Sequence, residues 1–177
     1  MINLIHDLDI LQYILGPIAR VHAEQTISQR GHEAEEGAAI LLRFASGVVG
    51  TFLLSDATPS GHNFESGTGE NPLIYKTGKD FYRIFGSDGT LSVGDMKLTK
   101  HREGLPKSWS SNLEDAPLPV TGDVPFDEQI SHLVRVVRGI EKPVCTGEDG
   151  LRALMACDAV TQALSTDRAV NVAKMNV

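Results

Sequence analysis

Between residues 38 and 55 two apolar runs, Ala38-Ala-Ile-Leu-Leu-Arg-Phe44 and Val48-Val-Gly-Thr-Phe-Leu-Leu-Ser55, are separated only by Ala45-Ser46-Gly47. A parallel pair needs a crossover of about a dozen residues or more, so runs this close pair antiparallel, as a β-hairpin. Gly86-Ser87-Asp88-Gly89 joins Phe81–Phe85 to Gly89–Val93 in the same way, its glycines supplying the positive φ of a tight turn. Further strand signals lie at Ile18 to Ile27, Leu73–Lys76, Lys97 to Arg102 and Ala169 to Val172. Strands that cluster rather than alternate with helices place the chain in the α+β class, with an open, mostly antiparallel sheet and helices packed on one face.

The helices are read from apolar spacing. Leu4, Ile5, Leu8, Leu11 and Leu15 mark one over about residues 3–15, which Gly16-Pro17 stops. Phe126, Ile130, Leu133, Val134, Val137 and Ile140 mark a second, with Asp127 and Glu128 near its positive end. A third runs from about Gly147 to Leu164, its apolar positions being Leu151, Leu154, Met155, Ala159 and Leu164. Residues 29–37 and 103–123 read as irregular, and three Gly and two Pro in residues 56–72 argue against a regular element there. The first helix starts in mid-pattern, with no Ser, Thr or Asp ahead of Ile2 to cap it, as though Met1 lay inside a longer polypeptide.

The 177 residues suit one domain at about 150 residues each. A formal charge of -7 speaks against nucleic acid or an anionic membrane as partner. No apolar stretch is long enough to span a bilayer and no leader pattern opens the chain, which gives the expectation of a soluble, cytoplasmic protein. Cys145 and Cys157 are too few for a disulfide framework and read as buried or half-buried thiols; Tyr82 and Trp109 read as packing aromatics.

Candidate chemistry concentrates in two places. His6, Asp9 and Tyr13 stand at i, i+3 and i+7 and share the helix face turned away from the leucines. An imidazole one turn from a carboxylate is a plausible acid/base pair, a solvated helix face being the plain alternative. The loop 56–72 carries Asp56, His62, Asn63, Glu65, Glu70 and Asn71, donors and acceptors of the kind that bind polyols; the alternative is a solvated surface loop. The six histidines are scattered with no H-x-x-x-H or H-E-x-x-H spacing, so no metal site is expected. No G-x-S-x-G elbow, Walker loop or G-x-G-x-x-G turn is present, so no residue here is assigned to a cofactor.

Ile2-Asn-Leu-Ile-His6-Asp-Leu-Asp9-Ile-Leu-Gln-Tyr-Ile-Leu-Gly16 resembles the segment that opens the C-terminal domain of the Gfo/Idh/MocA (glucose–fructose oxidoreductase and inositol dehydrogenase) family. The likeness continues through Ala38–Asp56, Thr68-Gly-Glu-Asn-Pro72, Tyr82-Arg-Ile-Phe-Gly-Ser-Asp-Gly-Thr-Leu91, Gln129-Ile-Ser-His-Leu-Val with Arg138-Gly139, and Pro143-Val-Cys-Thr-Gly147-Glu-Asp-Gly150. It implies a substrate-binding and oligomerisation domain, residues 1–177, that works beside a Rossmann domain binding NAD or NADP. It also implies hydride exchange with a sugar or cyclitol alcohol, with His6 as proton donor or acceptor and Asp9 as its partner. Tyr13, His62, Asn63, Glu65 and Glu70 then become substrate contacts, and the sheet face a homo-oligomer contact. Without the dinucleotide-binding half, the chain alone is expected to be inactive. The competing reading is a non-enzymatic module that oligomerises or binds a ligand on its sheet.

Overall fold

The computed structural model describes residues 3–120 and 122–173. The uncapped start at Met1 and Ile2 lies outside the described residues. The chain divides into two units, Met1–Pro59 with Pro143–Val177, and Ser60–Lys142.

In the first unit α1 (Leu4–Leu15) leads into β1 (Ile18–Gln25), β2 (Gly37–Phe44) and β3 (Val49–Ser55); α4 (Gly147–Thr166) and β8 (Val170–Asn171) complete it. Leu4, Leu8 and Leu11 of α1 are buried, each worth about 1.5–3 kcal/mol relative to exposure. Gly16 ends the helix at φ +90°, where a side chain would be strained, and its N–H closes on the Gln12 carbonyl at 2.9 Å. The strands form one antiparallel sheet in the order β3-β2-β1-β8. In β2 the alternation of the sequence becomes alternation of burial: Ala38, Ile40, Leu42 and Phe44 enter the core, while Ala39, Leu41 and Arg43 face outward.

Helix α4 packs against β1, β8 and α1. Of the apolar positions its sequence suggested, Ala159 is buried and Leu164 packs against the core, but Leu151 and Leu154 are exposed; Ala153, Ala156, Cys157, Val160 and Ala163 complete the buried face. Small side chains let the helix backbone come close to both sheet and α1, so the Leu-based choice of face is corrected. Cys157 is buried as expected, whereas Cys145 is exposed.

The loop after β1 also holds a surprise. Glu36 is only 4% exposed, and its carboxylate accepts hydrogen bonds from Ser28 Oγ at 2.9 Å, Gln29 N at 2.6 Å and Arg30 N at 2.8 Å. The Gln29 and Arg30 amides and the Ser28 hydroxyl hold this carboxyl below its ordinary pKa, against the opposing effect of burial. Arg30 then reaches Asp56 at 2.5 Å, tying the loop to the end of β3.

The second unit is a meander of β4 (Tyr82–Phe85), β5 (Thr90–Val93), β6 (Lys97–His101) and β7 (Leu113–Pro117), with α2 (Phe64–Thr68) before it and α3 (Pro125–Val137) after it. The strands therefore form two antiparallel sheets of four rather than a single one. The hairpin at residues 86–89 forms, with the Gly86 N–H on the Gly89 carbonyl at 2.8 Å.

Three local expectations change. Leu73–Lys76 is not a strand: Asn71 Oδ1 accepts from the Leu73 N–H at 3.0 Å and Asn71 O from the Ile74 N–H at 3.1 Å, so a turn forms at Asn71-Pro72. Residues 113–117 are a strand, paired to β6 alone, where an edge position tolerates both the charges and Pro117. Residues 64–68 form one helical turn despite the local glycines. Asn63 caps it, and Gly67 is required because a Cβ there would stand 2.5 Å from the Phe81 ring.

Helix α3 forms where its periodicity placed it, but ends at Val137, leaving Ile140 beyond; Gly139 at φ +71° turns the chain. None of its residues is buried: Phe126, Ile130, Leu133 and Val137 are all more than half exposed. Tyr82 packs edge-on against Phe81, as a core aromatic should, but Trp109 is fully exposed and packs on no ring among the described residues. No helix among the described residues is long and apolar enough to cross a membrane.

Candidate functional site

Helix α1 sets its own polar face. With Leu4, Leu8 and Leu11 held in the core, the i, i+3, i+7 set of His6, Asp9 and Tyr13 turns outward: His6 and Tyr13 are exposed and Asp9 is half-buried. No hydrogen bond or ion pair joins His6 to Asp9 among the described residues. Both groups stand on a helix anchored by buried leucines, so their backbone positions are fixed while their tips stay accessible.

Asp9 has a neighbour that spacing could not disclose. The Cys145 thiol is pushed above its usual pKa first by burial and then by the negative charges of Asp9 and Asp149. Cys145 is therefore an uncharged thiol rather than a nucleophilic thiolate. The start of α4 is closed by its own residues. Asp149 accepts from Thr146 N at 2.8 Å and Thr146 Oγ1 at 2.7 Å, and Thr146 Oγ1 accepts from Asp149 N at 3.2 Å. These bonds hold the Asp149 carboxyl below its ordinary pKa.

The second set lies in the other unit, around α2. His62 places Nδ1 2.9 Å from the Asp80 carbonyl and 3.1 Å from its carboxylate. Both partners are acceptors, so Nδ1 is the donor to them. Asp80 also accepts from Arg83 Nε at 3.0 Å, and the Arg83 guanidinium, with His62 after it, holds this carboxyl below its usual pKa. Asn63 is occupied structurally: Oδ1 accepts from Ser66 N at 2.9 Å and Nδ2 donates to Ser60 O at 2.8 Å. Glu65 is exposed in the first turn of α2 and Glu70 is half-buried just after it. His62, Asn63, Glu65 and Glu70 thus come together on one short segment, and His6, Asp9 and Tyr13 on one helix face.

Asp80, Arg83 and Cys145 were not singled out from sequence. His62 and Asp80 are 18 residues apart, with a turn between them that breaks any regular spacing. Among the described residues no group of three His, Cys, Asp or Glu side chains is gathered to hold a metal ion. Among the described residues both sheets are antiparallel, and the start of α4 carries its own carboxylate.

Among curated proteins none matches the sequence. Solved structures share the fold. The WlbA dehydrogenase of Bordetella pertussis, in complex with NADH and UDP-GlcNAcA, is 18% identical with a TM-score of 0.66, over 99% of this chain and 45% of that one. The aldose-aldose oxidoreductase of Caulobacter crescentus, complexed with glycerol, is 17% identical with a TM-score of 0.67, over 95% of this chain and 45% of that one. UDP-N-acetylglucosamine 3-dehydrogenase GnnA of Acidithiobacillus ferrooxidans is 16% identical with a TM-score of 0.65, over 91% of this chain and 47% of that one. The chain therefore spans about half the length of these structural relatives. The family model described as the C-terminal alpha/beta domain of the oxidoreductase family matches residues 1–172, and by that match the chain belongs to the Gfo/Idh/MocA oxidoreductases.

Proposed function

We propose that residues 1–177 act as one substrate-binding and oligomerisation module of an NAD(P)-dependent oxidoreductase acting on a sugar or cyclitol alcohol. The observation that carries this reading is the outward polar face of α1, His6-x-x-Asp9-x-x-x-Tyr13, on a helix whose leucines fix it in the core. It is supported by relatives solved with UDP-GlcNAcA and glycerol. In this reading the dinucleotide is held by polypeptide beyond these residues, and the chain alone has no dehydrogenase activity.

Within the module His6 is the proton carrier. Its exposed imidazole accepts the hydroxyl proton of the alcohol during oxidation and returns one during reduction, the work of a positioned acid/base group. Asp9 is its partner on the same face of α1, where Tyr13 supplies a hydroxyl-binding group; in the second unit, taken by itself, His62, Asn63, Glu65 and Glu70 of the α2 segment are hydroxyl-binding groups. The sheet face away from α1 and α4 carries Leu41, Val49 and Leu53 in the open, which supports a homo-oligomer built on that face. The two free thiols suit a cytoplasmic setting.

The test is His6→Ala in the full-length enzyme. Turnover should fall by about 10²–10⁴-fold, the worth of a positioned acid/base group, with dinucleotide affinity unchanged. Unchanged turnover overturns the assignment.

A further inference from the structure

We propose that the cleft beside Trp109 in the second unit binds a neutral pyranoside, stacking the sugar's apolar face on the indole and meeting its hydroxyls with His101, Ser108 and Ser111. The site is a binding site, with no part in proton or hydride transfer, and stands independently of the reading of α1.

Trp109 is the single tryptophan of the chain and is fully exposed, with a relative accessibility of 105%. An indole that can cover roughly 150–250 Å² is here left entirely in water, which packing does not explain. Nor does a loose loop explain it. The turn that carries the ring is bonded to itself, Ser111 N to Ser108 O at 3.0 Å and Ser110 N to Ser108 Oγ at 3.4 Å. The loop is closed at its base by Arg102 N on Asn112 O at 3.3 Å. The ring is presented on a preformed support, which lowers the entropy lost on binding.

Beside it is a shallow, open cleft of about 420 Å³ lined by His101, Lys107, Ser108, Trp109, Ser111 and Leu113. His101 and Leu113 are opposite each other in the β6–β7 ladder, so the two side chains share a face and make a floor that is half imidazole and half aliphatic. His101 Nδ1 is buried with no hydrogen-bond partner among the described residues. With Nδ1 shut off from solvent, a sugar hydroxyl meets this ring through its other nitrogen, Nε2.

The charge around the cleft selects the class of ligand. Lys107 is the cationic side chain in the lining, and its ammonium is already paired with Asp88. With Asp88 beside Lys107 the cleft carries no net positive charge, which favours a neutral ligand over a phosphate or carboxylate. The indole faces no second ring: the aromatic pairs of the described residues are Phe64 with Phe81 and Phe81 with Tyr82. A one-sided platform suits a ring with an apolar face and a hydroxylated rim better than a flat nucleobase, which gains from being sandwiched.

The test uses the chain itself and the emission of its one tryptophan, with methyl glycosides of glucose, galactose and mannose as probes. At least one should give a saturable change in emission. Saturation-transfer NMR on the same glycoside should show contact through its apolar C–H face. Sorbitol, which has no ring, should do neither. By the same NMR titration Trp109→Ala should weaken binding at least about tenfold, and Trp109→Phe should keep most of it. Far-UV circular dichroism confirms that both variants fold. A flat titration with every glycoside, full binding by Trp109→Ala, or saturation by adenosine in place of the glycosides overturns the proposal. An emission change that follows protein concentration without added sugar also overturns it, and marks a contact between copies.

Discussion

The two sheets have the same number of strands and the same antiparallel pairing, yet they are stabilised differently. In the first, α1 and α4 cover one face, and the strands beneath them bury Ile18, Val21, Ala23, Ala38, Ile40, Leu42 and Phe44. In the second, β5 has no fully buried residue and Tyr82 is the one buried position in β4. The helices differ in the same sense. α3 has the cleaner separation of apolar and polar residues but buries none, whereas α4 is less clearly divided and buries six residues. Amphipathic spacing states where a helix could pack; burial is decided by whether a matching surface of the right shape lies against it, and alanines can provide that better than leucines.

Substitutions at matched positions test this contrast. Phe44 and Phe85 each end a strand, at 2% and 76% exposure. Phe44→Ala should cost about 3–5 kcal/mol of unfolding free energy, and Phe85→Ala no more than about 0.5 kcal/mol, in denaturant titrations of the purified chain. Equal losses would break the comparison. Next in size is Thr146→Ala, which removes one half of the α4 capping box and should cost about 1 kcal/mol. Hydrogen exchange should localise that loss to the first turn of α4.

Acid should distinguish the units through two depressed carboxyls. Glu36 and Asp80 both have folded pKa values below their ordinary ones, so their stabilisation is complete above about pH 4–4.5 and is lost as pH falls through the folded values. Glu36→Gln should flatten the acid limb of exchange protection in residues 28–31, and Asp80→Asn that around His62, each leaving the other unit unchanged. The smallest effect is expected on α3. Ile130→Lys should stay within about 0.5 kcal/mol of the parent, because that position is already 60% exposed. A larger loss would show that α3 is covered in solution.

What could be read from the sequence followed short-range rules. The hairpins, α1 with its Gly16 stop, and the alternation of Ile40, Leu42 and Phe44 against Leu41 and Arg43 all depend on neighbours a few residues away. What escaped depended on partners far along the chain. Glu36 looked like one more charge in a polar loop, because its burial comes from amides that wrap around it only once β1 and β2 have paired. β7 looked irregular because Leu-Glu-Asp-Ala-Pro has little strand character until β6 offers it an edge. At the candidate site the α1 face was legible as a helical spacing. The Asp80 support of His62 and the effect of the Asp9 charge on the Cys145 thiol had no local signature.

The pairing of β8 with β1, Val170 beside Val21 and Asn171 beside Arg20, sets an order of events in biosynthesis. The meander of the second unit can close as soon as residue 117 is available, since each of its strands pairs with the next in sequence. The first unit must wait for α4 and β8, and must then close one of the longest loops the chain allows, at an entropic cost that grows only slowly with length. Until that moment α1 and the apolar face of β2 have no cover. A nascent chain halted before residue 147 would therefore carry a finished meander and an exposed, aggregation-prone hairpin, which makes α4 and β8 the elements that commit the first unit to its fold.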